Sequence, residues 1–378
     1  MKEYVKKLSN DRPYELTRSG HDDPLQLADI RSINQLSHQV VKPVIKRKYS
    51  PRLNARCKSP LAICADVGND CVERIVLPLN QLVAGDCLTE MRRLPDRCID
   101  LIILDPPYWK VVGETWDYKW RTEEDYRIWC REWFVEIARV CKRSASVYLF
   151  GYVRNLVHLF HDITTLGFEF RQELIVDKGM KCVAGRKTST YKQFPNTTET
   201  IFFFVFDAKP AIRKLLLARA EELGLNAKTI NEKLGVKCNG GGVWSLYTGN
   251  NILAQVPTLE MWNRLEEVLD FKAPEDLKGF IFNQQMGLTN VWVDIDFYKE
   301  KRIHRTQKPL RLIERLILAS SREGQIVLDP FAGSGTTAVA AKLHGRNFVA
   351  FESDPEMVKM AQMRLSTDVH KQGLLLEL

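Results

Sequence analysis

Ile99-Asp100-Leu101-Ile102-Ile103-Leu104-Asp105-Pro106-Pro107-Tyr108 is an apolar run of strand length that stops on an acid, two prolines and an aromatic residue. A short, nearly continuous apolar run suits a strand buried on both faces of a parallel sheet. The two prolines remove backbone donors and fix φ, so the strand ends in a stiff loop that carries Asp105 and Tyr108. A second strand ends in a similar way: Ile326-Val327-Leu328-Asp329-Pro330-Phe331 runs into Ala332-Gly333-Ser334-Gly335-Thr336-Thr337 and then an apolar-periodic helix. Glycines at that turn let the backbone approach a bound, nucleotide-like ligand closely. Alone, Asp-Pro-Pro-Tyr is also what an ordinary strand-ending turn looks like. Together the two strand ends predict one cleft with two occupants.

Working outward, the stretch from Pro78 alternates strands with helical segments, the pattern of a parallel, doubly wound α/β sheet. Leu79–Ala84 is predicted as a strand ending at Gly85-Asp86, followed by a short helix through Leu88, Met91 and Leu94. Thr122 with Glu123, Glu124 and Asp125 predicts a helix start, continued through Tyr126, Trp129, Trp133, Ile137 and Val140. Their three- and four-residue spacing assigns these aromatics to the core. Strands are predicted at 145–150, 170–176 and 200–206. From Ala208 to about Tyr298 the alternation disappears. That insert is predicted to hold a charged helix at 212–223, a small helix-turn-helix at 226–236, a glycine-, aromatic- and amide-rich loop at 240–251, and a helix at 258–269. Phe348-Val349-Ala350-Phe351-Glu352 is a strand ending in an acid seventeen residues after Gly335, the spacing at which a carboxylate reaches ribose hydroxyls. A dinucleotide site is the rival, but Gly-Ser-Gly-Thr-Thr lacks the third glycine of that fingerprint.

The chain of 378 residues has room for one large α/β domain and a smaller one. Its net charge is +8, and residues 1–60, with 13 Lys+Arg against 6 Asp+Glu, hold nearly all the excess. The cation- and proline-rich stretch Val41–Arg52 is what an arm lying along phosphates requires, and equally what a solvated leader looks like. The nine cysteines form no Cys-x-x-Cys pair and follow no secretory leader, so reduced cytoplasmic thiols are expected and no disulfide framework or metal site. The longest apolar run, Thr200–Phe206, is too short to span a bilayer, so no membrane association is expected.

These motifs resemble the amino-methyltransferases that transfer methyl from S-adenosylmethionine to exocyclic nitrogens of DNA bases. The likeness covers roughly residues 75–206 and 300–365, and the catalytic motif preceding the cofactor motif is similar to the beta class. The resemblance implies a Rossmann-like, mostly parallel methyltransferase sheet, circularly permuted, with a small mainly helical insert. The expected divisions are a basic arm at 1–74, a catalytic half at 75–206, a target-recognition insert at 207–299, a cofactor half at 300–366 and a tail at 367–378. Asp105, Pro106, Pro107 and Tyr108 are the implied catalytic residues: a carboxylate and a rigid carbonyl accept the amine hydrogens while the tyrosine stacks on the base. Asp329, Phe331, Gly333, Gly335 and Thr336 line the implied cofactor loop. Glu352 would reach its ribose, and Asp86 its adenine amino group, though Gly85-Asp86 is also a good helix cap. His304-Arg305-Thr306-Gln307-Lys308-Pro309 matches a family motif beside the methionine tail. Lys308 would pair with the tail's carboxylate, and Thr306 and Gln307 would add hydrogen bonds.

For DNA contact, Phe194 is placed on the flipped base or in the core, and Lys178, Lys181, Arg186, Lys187 and Lys192 near phosphates. Asn239, Asn250, Asn251, Gln255 and Arg264 have side chains able to read groove edges. The implied partner is double-stranded DNA. A homodimer and a separate restriction endonuclease are further expectations, in the bacterial or phage-infected cytoplasm. Asp rather than Ser before Pro-Pro-Tyr makes adenine N6 the target that the resemblance implies. Cytosine N4, an RNA or protein substrate, and a non-catalytic DNA-binding relative are the alternatives.

Overall fold

The computed structural model describes residues 77–376 except 110–118, 184–191, 193, 237–241, 251–252, 279–280, 284–286, 301 and 305, with side chains through residue 367. The basic arm, Arg186, Lys187, Asn239 and Asn251 therefore lie outside the described residues. The chain forms β1 (Gln81–Ala84), α1 (Cys87–Met91), β2 (Ile99–Leu104), α2 (Glu123–Val140), β3 (Cys141–Gly151), α3 (Val153–Thr165), β4 (Phe168–Asp177) and β5 (Thr198–Phe206). Then come α4 (Lys209–Glu222), α5 (Ala227–Lys233), α6 (Gly242–Thr248), α7 (Leu259–Leu269) and the two-residue β6 (Val291–Trp292). The last elements are α8 (Leu310–Ser320), β7 (Ile326–Asp329), α9 (Thr336–Leu343), β8 (Asn347–Glu352) and α10 (Pro355–Leu376).

The eight strands form one sheet in the order β1-β8-β7-β2-β3-β5-β4-β6. β1, β8, β7, β2 and β3 run parallel, whereas β5 is antiparallel to both β3 and β4. Strand period 2 divides the side chains between two cores. Ile102, Leu104, Val147, Leu149 and Phe204 face Met91, Trp133, Ile137 and Leu159 of α1, α2 and α3. Leu101, Ile103, Tyr148, Phe150 and Phe203 face Leu312, Leu316, Ala340 and Ala361 of α8, α9 and α10. All six β2 residues are buried, as the opening run predicts.

Helix starts follow local rules. Thr122 and Asp125 exchange reciprocal side-chain-to-backbone bonds of 3.1 and 3.0 Å, a capping box that fixes where α2 begins. Tyr126, Trp133, Ile137 and Val140 are buried core residues, as their spacing predicts.

The insert has its own core, in which Ile212, Leu216, Ile230, Trp244, Tyr247, Trp262, Leu265 and Leu277 pack together. Two expectations there are corrected. Residues 226–236 hold only α5, capped by Asn226 and ended by Gly235 at φ 62°; eleven residues leave no room for two helices. The second helix is α6, inside the stretch read from composition as a loop. Trp244 and Tyr247 share one face of it and are buried, which outweighs the weak helix propensity of glycine. Asn231 Oδ1 accepts from Trp244 N at 3.0 Å and ties α5 to the start of α6. The end of the 207–299 segment leaves the insert. β6 pairs with β4, and Trp292, Ile295 and Phe297 join the sheet's core.

Candidate active site

β2 and β7 are neighbours, with Leu101 opposite Val327 and Ile102 opposite Leu328. The chain leaves β7 toward β8 on one side and leaves β2 toward β3 on the other. A crevice opens outside the carboxyl ends of two strands whose connections diverge in this way. Asp105 and the Asp329–Gly335 turn both stand at that crevice.

Asp105 is held from two sides. Lys308 Nζ donates to both of its carboxylate oxygens, at 2.8 and 2.7 Å. Tyr108 Oη lies 2.8 Å from Asp105 Oδ1 and 3.1 Å from Glu199 Oε1, so its single proton serves one acceptor at a time. Glu199 Oε2 accepts from Lys178 Nζ at 3.2 Å, and Glu199 Oε1 is 3.6 Å from Lys308 Nζ. Burial opposes the Lys308 charge, but the Asp105 and Glu199 carboxylates outweigh it and hold its pKa above the ordinary lysine value. Burial likewise opposes the Glu199 charge, yet Lys308 and Lys178 hold its pKa below the usual carboxylate range. Burial first, then the two carboxylates, push the Tyr108 phenol well up, so it keeps its proton and acts as a donor.

The second half of the crevice is a backbone cradle. Gly333 and Gly335 have φ of 50° and 75°, a region that L side chains rarely enter. A Cβ on Gly333 would meet nothing closer than Phe331 O at 3.9 Å, whereas one on Gly335 would lie 2.9 Å from Ala361 Cβ. The first glycine thus faces open space, and the second lets α10 pack against the start of α9. Glu352 Oε2 accepts from Gly333 N at 2.8 Å and Oε1 from Asp354 N at 2.9 Å, which fixes the turn beside the end of β8. Asp329 Oδ1 accepts from Phe331 N at 3.0 Å. Burial pushes the Asp329 carboxyl up to about 7, partly offset by bonds from Thr337 and Phe331, with the charges of Asp105 and Glu352 adding to the rise. The Phe331 ring packs on Trp129 and Trp133, with centroids 5.8 and 5.3 Å away.

Several residues are engaged differently from their sequence expectation. Lys308 turns to Asp105, because a cation this buried takes the nearest carboxylate. Gln307 is buried and its Oε1 accepts from Ile303 N, so it shapes its own loop; Thr306 Oγ1 is bonded to His304 Nδ1. Thr336 Oγ1 points inward, between Arg364 Nη1 at 2.7 Å and Lys308 O at 3.3 Å. Asp86 takes the helix-cap role that its sequence also offered, with Oδ1 accepting from Thr89 N at 3.0 Å at the start of α1. Lys178 belongs to the Glu199 network and not to a solvent-facing basic loop. Arg264 donates to Leu234 O inside the insert. Phe194 is 95% exposed, which removes the core-packing reading. Lys181, Lys192, Asn250 and Gln255 are exposed.

Glu199, the acid that closes the Phe194–Glu199 stretch ahead of the 200–206 strand, is the residue to which the sequence reading gave no role. Its signal was an acid at the head of an otherwise apolar strand, where a charge is retained only with partners.

Among the described residues no group of three or more His, Cys, Asp or Glu side chains is arranged to hold a metal, and no helix is long and apolar enough to cross a membrane.

Comparison with known proteins finds DNA methyltransferases among the relatives. M.HinfI, a type II methyltransferase of Haemophilus influenzae, is 25% identical over 302 residues, covering 76% of this chain and 68% of its own. The DNA adenine methyltransferase YhdJ of Escherichia coli K12 is 28% identical over 298 residues, covering 76% of this chain and 83% of its own. The crystal structure of an M1.HpyAVI–SAM complex superposes with a TM-score of 0.46 at 19% identity, covering 75% of this chain and 98% of that one. The DNA methylase family matches residues 99–363, a span running from the strand that delivers Asp105 to the helix that packs behind Gly335, and the chain belongs to that family.

Proposed function

We propose that this chain methylates the exocyclic N6 of adenine in duplex DNA, with S-adenosylmethionine as methyl donor. One observation carries the reading. At the switch point of the sheet, a carboxylate fixed by Lys308 and Tyr108 stands beside a side-chain-free glycine cradle.

The cradle suits the cofactor: open space in front of Gly333, the Glu352 carboxylate at the end of β8 and the buried Asp329 provide a close backbone approach and acids for hydroxyl and ammonium groups. When bound, the cofactor supplies a methyl group on an electron-poor sulfonium. Asp86, at the end of β1 beside β8, would reach its adenine with the oxygen that does not cap α1.

The work left to the protein is on the amine. Its lone pair is delocalised into the ring, and hydrogen bonds to Asp105 and the Pro106 carbonyl localise that pair and aim it. Transfer to that nitrogen would leave the S–C electron pair on the cofactor's sulfur, and Asp105 would take up the surplus proton. Extrusion of the base costs about a few kcal/mol, part of which stacking on Tyr108 and the exposed Phe194 offsets.

The insert, with its separate core, is the inferred target-recognition domain, and Lys181 and Lys192 are the inferred phosphate contacts. The resemblance supports the beta class, a homodimer and a separate endonuclease as partner.

Long-read sequencing of DNA from a methylation-free bacterial host tests the reading. Expression of the chain is expected to place N6-methyladenine at one short motif, and Asp105→Ala to abolish it. Methylcytosine in place of methyladenine would assign the cytosine N4 reaction, and no modification by a soluble, cofactor-binding preparation would refute DNA methylation.

A further inference from the structure

Glu199 has no task in that reading, yet it touches both groups that hold Asp105. It stands at the start of β5, opposite Val176 of β4. Its side chain is 11% exposed against 28% for Asp105, so Asp105 is the more open of the two to a substrate entering the crevice. Oε1 lies 3.1 Å from Tyr108 Oη and 3.6 Å from Lys308 Nζ, and Oε2 lies 3.2 Å from Lys178 Nζ. Two carboxylates and two ammonium groups therefore occupy the site with no net charge.

We propose that Glu199 is a positioning residue for methyl transfer, sharing Lys308 and Tyr108 with Asp105 so that the Asp105 carboxylate keeps lone pairs for the amine hydrogen. The inference rests on the methyltransferase reading above. Lys308 and Tyr108 together supply three contacts to Asp105, and a carboxylate offers about four lone-pair sites. Without a competing acid, both donors would settle on Asp105 and weaken it as an acceptor. With Glu199 present, Tyr108 can turn its proton to Oε1 as the amine arrives, which frees Asp105 Oδ1. The nitrogen then gains a methyl and loses one proton to Asp105, the sulfonium becomes a neutral thioether, and Asp105 later returns the proton to water. While Asp105 is neutral, Glu199 keeps Lys308 paired, so no buried cation is stranded.

The test is single-turnover methylation of unmethylated duplex DNA with radiolabelled cofactor, alongside measured affinities for cofactor and DNA. Glu199→Gln keeps the shape and an acceptor oxygen but leaves the site with one excess positive charge. The rate is expected to fall about 10- to 100-fold, as for a misplaced reacting group, with both affinities within about twofold of wild type. Adding Lys178→Met restores neutrality and is expected to recover at least about tenfold of any loss near the upper end of that range. A Glu199→Gln rate within about threefold of wild type overturns the proposal, and so does a double variant no faster than the single one, since a purely structural role would not respond to charge balance. If Glu199→Gln does not fold, Glu199→Asp, which withdraws the carboxylate from Tyr108 by one methylene, must show the same loss of rate at unchanged cofactor affinity, and an unaltered rate overturns the proposal. A wild-type chain that methylates no DNA would sink the underlying reading instead, whereas an active wild type with an indifferent Glu199→Gln sinks only this inference.

Discussion

Replacing Asp329 with asparagine should make the protein's stability less dependent on pH. Asp329 is 5% exposed, and burial raises its carboxyl from 3.8 to about 7. The native state therefore keeps a proton that the unfolded chain releases above its ordinary carboxylate pKa. Stability from this group is fully present below about pH 4 and is lost as pH rises to about 7, because ionisation favours the unfolded chain. At about 1.36 kcal/mol per pH unit, the span from 3.8 to about 7 amounts to about 4 kcal/mol, of which about 3 falls between pH 5 and 8. The asparagine side chain keeps an oxygen to accept from Phe331 N and carries no charge. Urea denaturation of both proteins at pH 5, 6, 7 and 8 measures the difference. The variant is expected to gain about 3 kcal/mol on wild type across that range, most of it by pH 7. A gap that stays constant from pH 5 to 8 would refute the argument that burial governs Asp329.

Lys308→Met removes the cation between Asp105 and Glu199, whose oxygens on either side of Tyr108 lie no more than about 6 Å apart. At an effective dielectric of 20 their repulsion is about 3 kcal/mol, within the usual cost of breaking a buried pair. Urea melts should show about that loss, and a variant as stable as wild type would contradict the reasoning. The two cradle glycines should respond unequally to alanine. Gly333→Ala meets open space and costs about 1–2 kcal/mol for its left-handed backbone, whereas Gly335→Ala adds a 2.9 Å clash with Ala361 and should cost about 1–3 kcal/mol more by thermal or chemical melting. Equal losses would mean that α10 yields to the added methyl.

Local chemistry was enough to read every strand of the sheet but β6. Nearly continuous apolar runs ending on Asp-Pro-Pro-Tyr and Asp-Pro-Phe-x-Gly-x-Gly identified β2 and β7, and Thr122 announced α2, because strand burial, proline stiffness and capping depend on neighbouring residues. Within the insert the same approach failed at α6. A glycine-rich stretch reads as a loop until Trp244 and Tyr247 find a core made by helices far away in the chain. Partnership in the cleft was equally hidden. Lys308 meets Asp105 across 203 residues and Tyr108 meets Glu199 across 91, so no motif spacing could pair them. By itself the sequence determined which groups this protein carries to the carboxyl edge of a parallel sheet. Which carboxylate Lys308 serves, and that Glu199 stands behind it, was decided only by the tertiary structure, because the pairing of buried charges is set by what lies within a few ångströms after the strands have assembled.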